Sequence, residues 1–222
     1  VRGVDSLLDI DAANRVLLLA GGIAAAKDQG GKVQLRGENQ TVILSGGSVQ
    51  SGMEFQQNAA GQFVPVKVAE GADATISAGN ELVITGNVNV TDELNLESGA
   101  AVSDVSDFLS LLQNDHYLFG TDRFSLLIDG TLRSMSSGNQ IDLQAPGPII
   151  VSGIIESNDA SSLRVRSDDW VYLDTHATVQ DSIKVYGGYS SSYTPNGNAD
   201  RNGSSVYVDK LSVLNTLASA ST

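Results

Sequence analysis

The chain has 222 residues, a formal net charge of −13 and no cysteine. That acidity repels nucleic acid and anionic membrane surfaces, and the absence of thiols excludes disulfides, thiolate metal sites and cysteine nucleophiles. At 41% hydrophobic but only 5% aromatic, the chain is too apolar for disorder, and its small, β-branched apolar residues suit tight stacked strands.

No run reaches the ~18 apolar residues of a membrane span. The chain starts at Val1 with no signal peptide in view, so a processed product or a piece of a longer protein is expected. Residues 1–15 read as an N-terminal cap or incomplete coil. Asp5 or Ser6 is placed to cap a short helix carrying Leu7, Leu8 and Ile10.

From residue 16 a repeat sets in: a short strand, a corner that usually contains Gly, and a second short strand. Val16–Ile23 and Val42–Val49 are the first two such corners, with the alternating strand Lys32–Gly37 between them. Residues 50–70 break the rhythm and predict a projecting hairpin or one widened coil, with Pro65 favouring an edge. The pattern resumes at Ala74–Ser77, Leu82–Val90 and Leu94–Val102.

A second excursion is expected at 103–120. Its apolar residues approach helical spacing, which predicts a short helix over about 106–114 with Asp104 or Ser106 as N-cap. The repeat is clearest over 126–186. Counted on the first apolar residue after each corner, Leu132, Ile154 and Val179 lie 22 and 25 residues apart (154 − 132 and 179 − 154) and are expected at equivalent inward positions. A unit of this length built only of strands and turns predicts a β-solenoid, because a lone coil cannot pair its backbone or bury its apolar face. Residues 187–222 read as a long polar loop, final strands and a frayed tail.

The runs Asp129-Gly130-Thr131-Leu132, Gln140–Ala145 and Val151–Ile155 resemble the repeats of filamentous-haemagglutinin-type bacterial exoproteins. The likeness extends over 16–49, 74–102 and 126–186. It implies an all-β, right-handed parallel β-helix and a role as adhesin, stalk or scaffold outside the cell or on its surface. Irregular repeat lengths and two insertions depart from that pattern.

Four groups of residues bear on chemistry. Arg164 and Arg166 share one face of a strand beside Asp168 and Asp169, a solvated cluster or the start of a carbohydrate-cleaving site. Trp170 and Tyr172 alternate on one strand, as flank packing or a sugar-stacking face. His116 and His176 are far apart and follow no nucleophile motif. Tyr186, Tyr189 and Tyr193 beside Gly187-Gly188 form a candidate binding surface of rigid aromatic area in an adaptable polar loop.

The sharpest local motif is Asn198 to Asp209. Asn198, Asp200, Asn202 and Asp209 occupy positions 1, 3, 5 and 12 of a calcium-loop pattern with Gly203 at position 6. The competing reading is a hairpin turned by Asn202-Gly203. Ca2+ is the only cofactor the sequence suggests. The expectation is therefore a non-catalytic structural or adhesive segment of a bacterial secreted or cell-surface protein. Its partners would be host or cell-surface glycans or proteins, or other parts of a larger assembly. The alternatives are a carbohydrate-active β-helix enzyme (polysaccharide lyase or hydrolase) and a β-sandwich.

Overall fold

The structure is a computed structural model that describes residues 1–99, 103–104, 123–135, 140–157, 162–187, 206–208 and 212–216. Every regular element among them is a strand. The chain winds through three strands per coil and repeats the circuit.

The first coil holds β1 (Leu7–Ala12), β2 (Arg15–Leu18) and β3 (Ile23–Ala26). The second holds β4 (Lys32–Gly37), β5 (Gln40–Ile43) and β6 (Ser48–Ser51), followed by the excursion β7 (Met53–Gln57) and β8 (Phe63–Lys67). Then come β9 (Asp73–Ala78), β10 (Glu81–Ile84) and β11 (Asn87–Val90). The fourth coil starts with β12 (Leu94–Glu97) and, after the short β13 (Ser103–Asp104) and β14 (Arg123–Phe124), continues with β15 (Leu126–Ile128) and β16 (Thr131–Ser134). The fifth holds β17 (Gln140–Ala145), β18 (Ile149–Val151) and β19 (Ile154–Ser157). The sixth holds β20 (Ser162–Ser167), β21 (Val171–Leu173) and β22 (His176–Val179). The last holds β23 (Ile183–Tyr186), β24 (Val206–Val208) and β25 (Val213–Thr216).

First, second and third strands of successive coils stack into three parallel seven-stranded sheets. The protein is a parallel β-helix. Strands adjacent in sequence lie round a corner from one another, so each strand between the first and last coils finds its backbone partners one coil up and one coil down. This parallel pairing disposes of the sandwich alternative, whose sheets are antiparallel.

Alternation along each strand sends one set of side chains into the lumen. Leu35, Ile76, Leu96, Leu143 and Val165 form one interior ladder, and Ile43, Ile84, Ile128, Val151 and Leu173 another. The second sheet also carries apolar residues outward. Val42, Val83, Leu127, Ile150 and Tyr172 are buried there with Phe124, and Trp170 packs against them.

The expected ladder of Leu132, Ile154 and Val179 is corrected by one residue. Leu132 stands opposite Ile155, and Ile155 opposite Ala177. Ile155 is fully buried, whereas Ile154 is 42% exposed, opposite Thr131 and His176. Two apolar residues follow Gly153, and the first of them takes the outward place that Thr131 fills one coil earlier. A slip of one residue exchanges the faces of a strand. Val179 does point inward, two positions further along β22, opposite Thr216. Ile23 is likewise exposed, and Ala24 faces the lumen opposite Val49.

Residues 7–12 form a strand of the first coil, paired along its length with β4, in place of the capped helix considered for this region. Within 50–70, Gln50 and Ser51 still belong to the coil, and β7 and β8 pair antiparallel as a hairpin. The chain leaves and re-enters at one point, because the amides of Val68 and Ala69 both donate to the Gly52 carbonyl. The hairpin is tied to the stack by Lys27–Glu54 at 3.4 Å and by Lys67 Nζ donating to the Met135 carbonyl at 3.4 Å. Hydrogen bonds from Gln56 and then Lys27 hold the Glu54 carboxyl below its ordinary pKa. The helix expected over 106–114 lies outside the described residues.

Candidate functional surface

The side chains with chemical potential lie on the outer faces and corners, and their register decides whom they meet. Arg164 and Arg166 do share a face, as the spacing requires. They reach back one coil to Asp142 rather than toward Asp168 and Asp169. Arg164 Nη2 donates to Asp142 Oδ2 at 3.0 Å and Arg166 Nη2 to the same oxygen at 2.7 Å. Asp142 stands directly opposite Arg164 in the sheet. Asp168 is exposed, and desolvation on its protein side raises its carboxyl above the ordinary value.

Asp142→Asn is expected to cost about 1–3 kcal/mol, because two guanidinium groups would exchange a shared carboxylate for a neutral acceptor. Urea unfolding should show a lower midpoint at unchanged slope. An unshifted midpoint would mean that the cluster contributes nothing to the stack.

Other polar groups follow the same rule of binding coil to coil. Asn39 Nδ2 donates to Asn14 Oδ1 at 2.7 Å, and Asn80 Nδ2 to Asn39 Oδ1 at 3.2 Å, a ladder at the corner between the first and second sheets. On the third sheet Arg133 pairs with Glu156 and also donates to Asn89 at 3.4 Å. The hydroxyls of Thr41 and Thr175 donate to the carbonyls of Ser77 and Gly153, each at 2.6 Å.

The corner between the second and third sheets forms a shallow groove of about 300 Å³, lined by Ser45, Thr85, Asn87, Asp129, Thr131 and Ser152 among others. Its floor is a column of glycines. A methyl on Gly86 would stand 2.5 Å from the carbonyls of Gly47 and Leu44, and methyls on Gly130 and Gly153 would fall on the carbonyl below. The groove therefore exists because coils approach backbone to backbone there. Asp129 is the one carboxylate among its described lining residues, and it accepts a hydrogen bond from Ser152 Oγ at 2.9 Å. Paired-carboxylate sugar chemistry would need a second such group within reach.

Of the three tyrosines, Tyr186 lies at the end of β23, partly exposed and in register with Arg166. Tyr189 and Tyr193 lie outside the described residues, as do His116 and the four calcium-loop residues Asn198, Asp200, Asn202 and Asp209. His176 is on the exposed face of β22. Tyr172 is buried in the outer cluster, and Trp170 meets Tyr207 edge to face with ring centroids 6.5 Å apart. Trp170 and Tyr172 thus both pack in the apolar cluster on the outer face of the second sheet.

Sequence reasoning overlooked the asparagine ladder and the Asp142 cluster. The ladder had a signal: an Asn follows each of β1, β4 and β9 by two residues. Comparison with protein-family models, with curated proteins and with solved structures finds no match.

Proposed function

We propose that the chain is a structural, non-catalytic β-solenoid segment of a bacterial secreted or cell-surface protein, with adhesion as a role of its lateral surfaces. The observation that carries this reading is where the polar side chains are spent. Asn14–Asn39–Asn80, Asn89–Arg133–Glu156, Asp129–Ser152 and Asp142–Arg164–Arg166 each link neighbouring coils. They lock a rod rather than converge on a reacting atom. The resemblance of the repeats to filamentous-haemagglutinin-type exoproteins points the same way, and the partners it suggests are host or cell-surface glycans or proteins, or other parts of a larger assembly. The β7–β8 hairpin, with Phe63 exposed, and the end of β23 with Tyr186 are the surfaces that project toward such partners.

The alternative, a polysaccharide lyase or hydrolase, is tested by incubating the chain with acidic and neutral polysaccharides and measuring new chain ends. The structural reading expects none. Cleavage that disappears in Asp129→Asn would replace it with the enzymatic one.

Calcium belongs to the proposal on the spacing of Asn198, Asp200, Asn202 and Asp209 alone. Two carboxylates among the side-chain ligands give affinity in the range of about 10⁻⁴ to 10⁻³ M. Amide exchange in 198–209 is expected to slow as Ca2+ is added and to stay fast in Asp200→Ala. Equal protection in both would leave the hairpin reading.

A further inference from the structure

We infer that the groove at the corner between the second and third sheets binds a neutral, linear glycan laid along the stack. The inference rests on the adhesive reading above and names the ligand class and the place that holds it.

The groove crosses four successive coils, from Ser45 through Thr85 and Asp129 to Ser152. Three intercoil steps of about 4.8 Å make it roughly 14 Å long. Its two walls come from different elements. Thr85, Asp129 and Ser152 each precede a corner glycine, whereas Asn87, Thr131 and Ile154 form the first outward row of the third sheet. Comparable groups therefore recur from coil to coil, as the units of a linear polymer recur along its length.

The next outward row of that sheet is engaged within the stack, where Arg133 joins Asn89 to Glu156. The groove row differs. Asn87 and Thr131 stand directly opposite each other, half-buried, and neither side chain makes a hydrogen bond among the described residues. Across the groove, Ser152 Oγ donates to the nearly buried Asp129 at 2.9 Å and so fixes the carboxylate as an acceptor. Ile154, exposed at the far end, offers an apolar patch to the C–H face of a sugar ring.

The remaining chemistry decides the ligand. The corner amides are already engaged between coils. Those of Asp129 and Gly130 donate to Ile84, those of Ser152 and Gly153 to Ile128, and those of Thr131 and Ile154 to Gly86 and Gly130. An extended peptide, which binds by pairing with such groups, finds no amide to pair with among them. The one charged group in the lining is a carboxylate, on a chain of net charge −13, so uronic or sulfated chains are repelled. A single carboxylate also supplies too few charged ligands for a divalent cation. Sugar hydroxyls fit, because they donate to Asp129 and accept from Asn87 and Thr131.

Amide chemical shifts of the 222-residue chain test this. The neutral probes are cellohexaose, mannohexaose and maltohexaose, each added to several millimolar, and an oligogalacturonate of equal length is the acidic one. At least one neutral probe is expected to shift the amides of Asn87, Thr131 and Ser152 while those of the first sheet stay in place. The oligogalacturonate should shift none of them. Thr131→Val and Asn87→Leu should each weaken binding about two- to tenfold, and Thr131→Trp, which fills the groove, should abolish it. Thr131→Val keeps the shape of the side chain, so its thermal melt should match the parent's. Thr75→Val, the same change on the outward face of the first sheet, is expected to bind as the parent does.

Silence from all three neutral probes, equal shifts with the acidic one, or parent-like binding by both Thr131→Val and Asn87→Leu would overturn the inference. The same mixtures are read for new chain ends. Cleavage would remove the non-catalytic reading and leave the groove as a glycan site, whereas absent shifts would remove the glycan site and leave that reading.

Discussion

Ile155→Asp is expected to destabilise the protein by about 4 kcal/mol or more, while Ile154→Asp, one residue away, stays within about 1 kcal/mol. Ile155 is wholly buried between Leu132 and Ala177, and a carboxylate there would have no partner and no water. It would either stay charged at a large desolvation cost or take up a proton. Ile154 is exposed on the outer face, where a carboxylate remains hydrated and has His176 directly opposite. Urea unfolding of the two variants beside the parent decides the matter. Equal losses would mean that β19 is not half-buried, and a larger loss at Ile154 would restore the register inferred from the first apolar residue after each corner.

Gly130→Ala is expected to cost about 3 kcal/mol, at the upper end for overpacking. The added methyl would fall on the Gly86 carbonyl of the coil below, and backbone cannot swing aside as a side-chain tip can. The coils would have to separate at that corner, straining the amide of Gly130, which donates to the Ile84 carbonyl at 3.0 Å. Gly21→Ala provides the contrast. Gly21 has φ +79° with open space around its Cβ position, so the left-handed backbone alone acts, at about 1–2 kcal/mol. Thermal melts of the two variants should rank them in that order. The reverse ranking would mean that the corners are set by backbone conformation and not by the close approach of coils.

The fold was readable because its determinants are local and repeated. Alternation in Lys32–Gly37 and Leu163–Arg166 and the glycine of Asp129-Gly130-Thr131 follow from neighbouring residues alone, and their recurrence implies stacking. What was misread depends on the size of the step between coils. Ile154 and Ile155 are both apolar, so hydrophobicity does not say which one faces in. The corner glycine does, because Gly130 stacks under Gly153 and the inward residue lies two positions beyond each.

The outer surface shows the same dependence. Arg164 and Arg166 were legible as a pair, but the partner they select is separated by a whole coil of 22 residues in the case of Asp142 and Arg164. Asp168 and Asp169 were nearer in sequence and prevailed in the reading for that reason alone. The lengths of the hairpin and of the stretch between β12 and β15 vary the step further. No fixed period in the sequence could then bring Asn39 and Asn80 together.

The most direct test of the coil stack is a set of nuclear Overhauser contacts between backbone amides and α-protons. The parallel β-helix predicts cross-peaks linking the rows Leu132, Ile155 and Ala177, and likewise Ile141 and Leu163, with no ladder between sequence-adjacent β18 and β19. Antiparallel contacts joining β18 to β19, or β21 to β22, would contradict the stack and with it the structural role built on it.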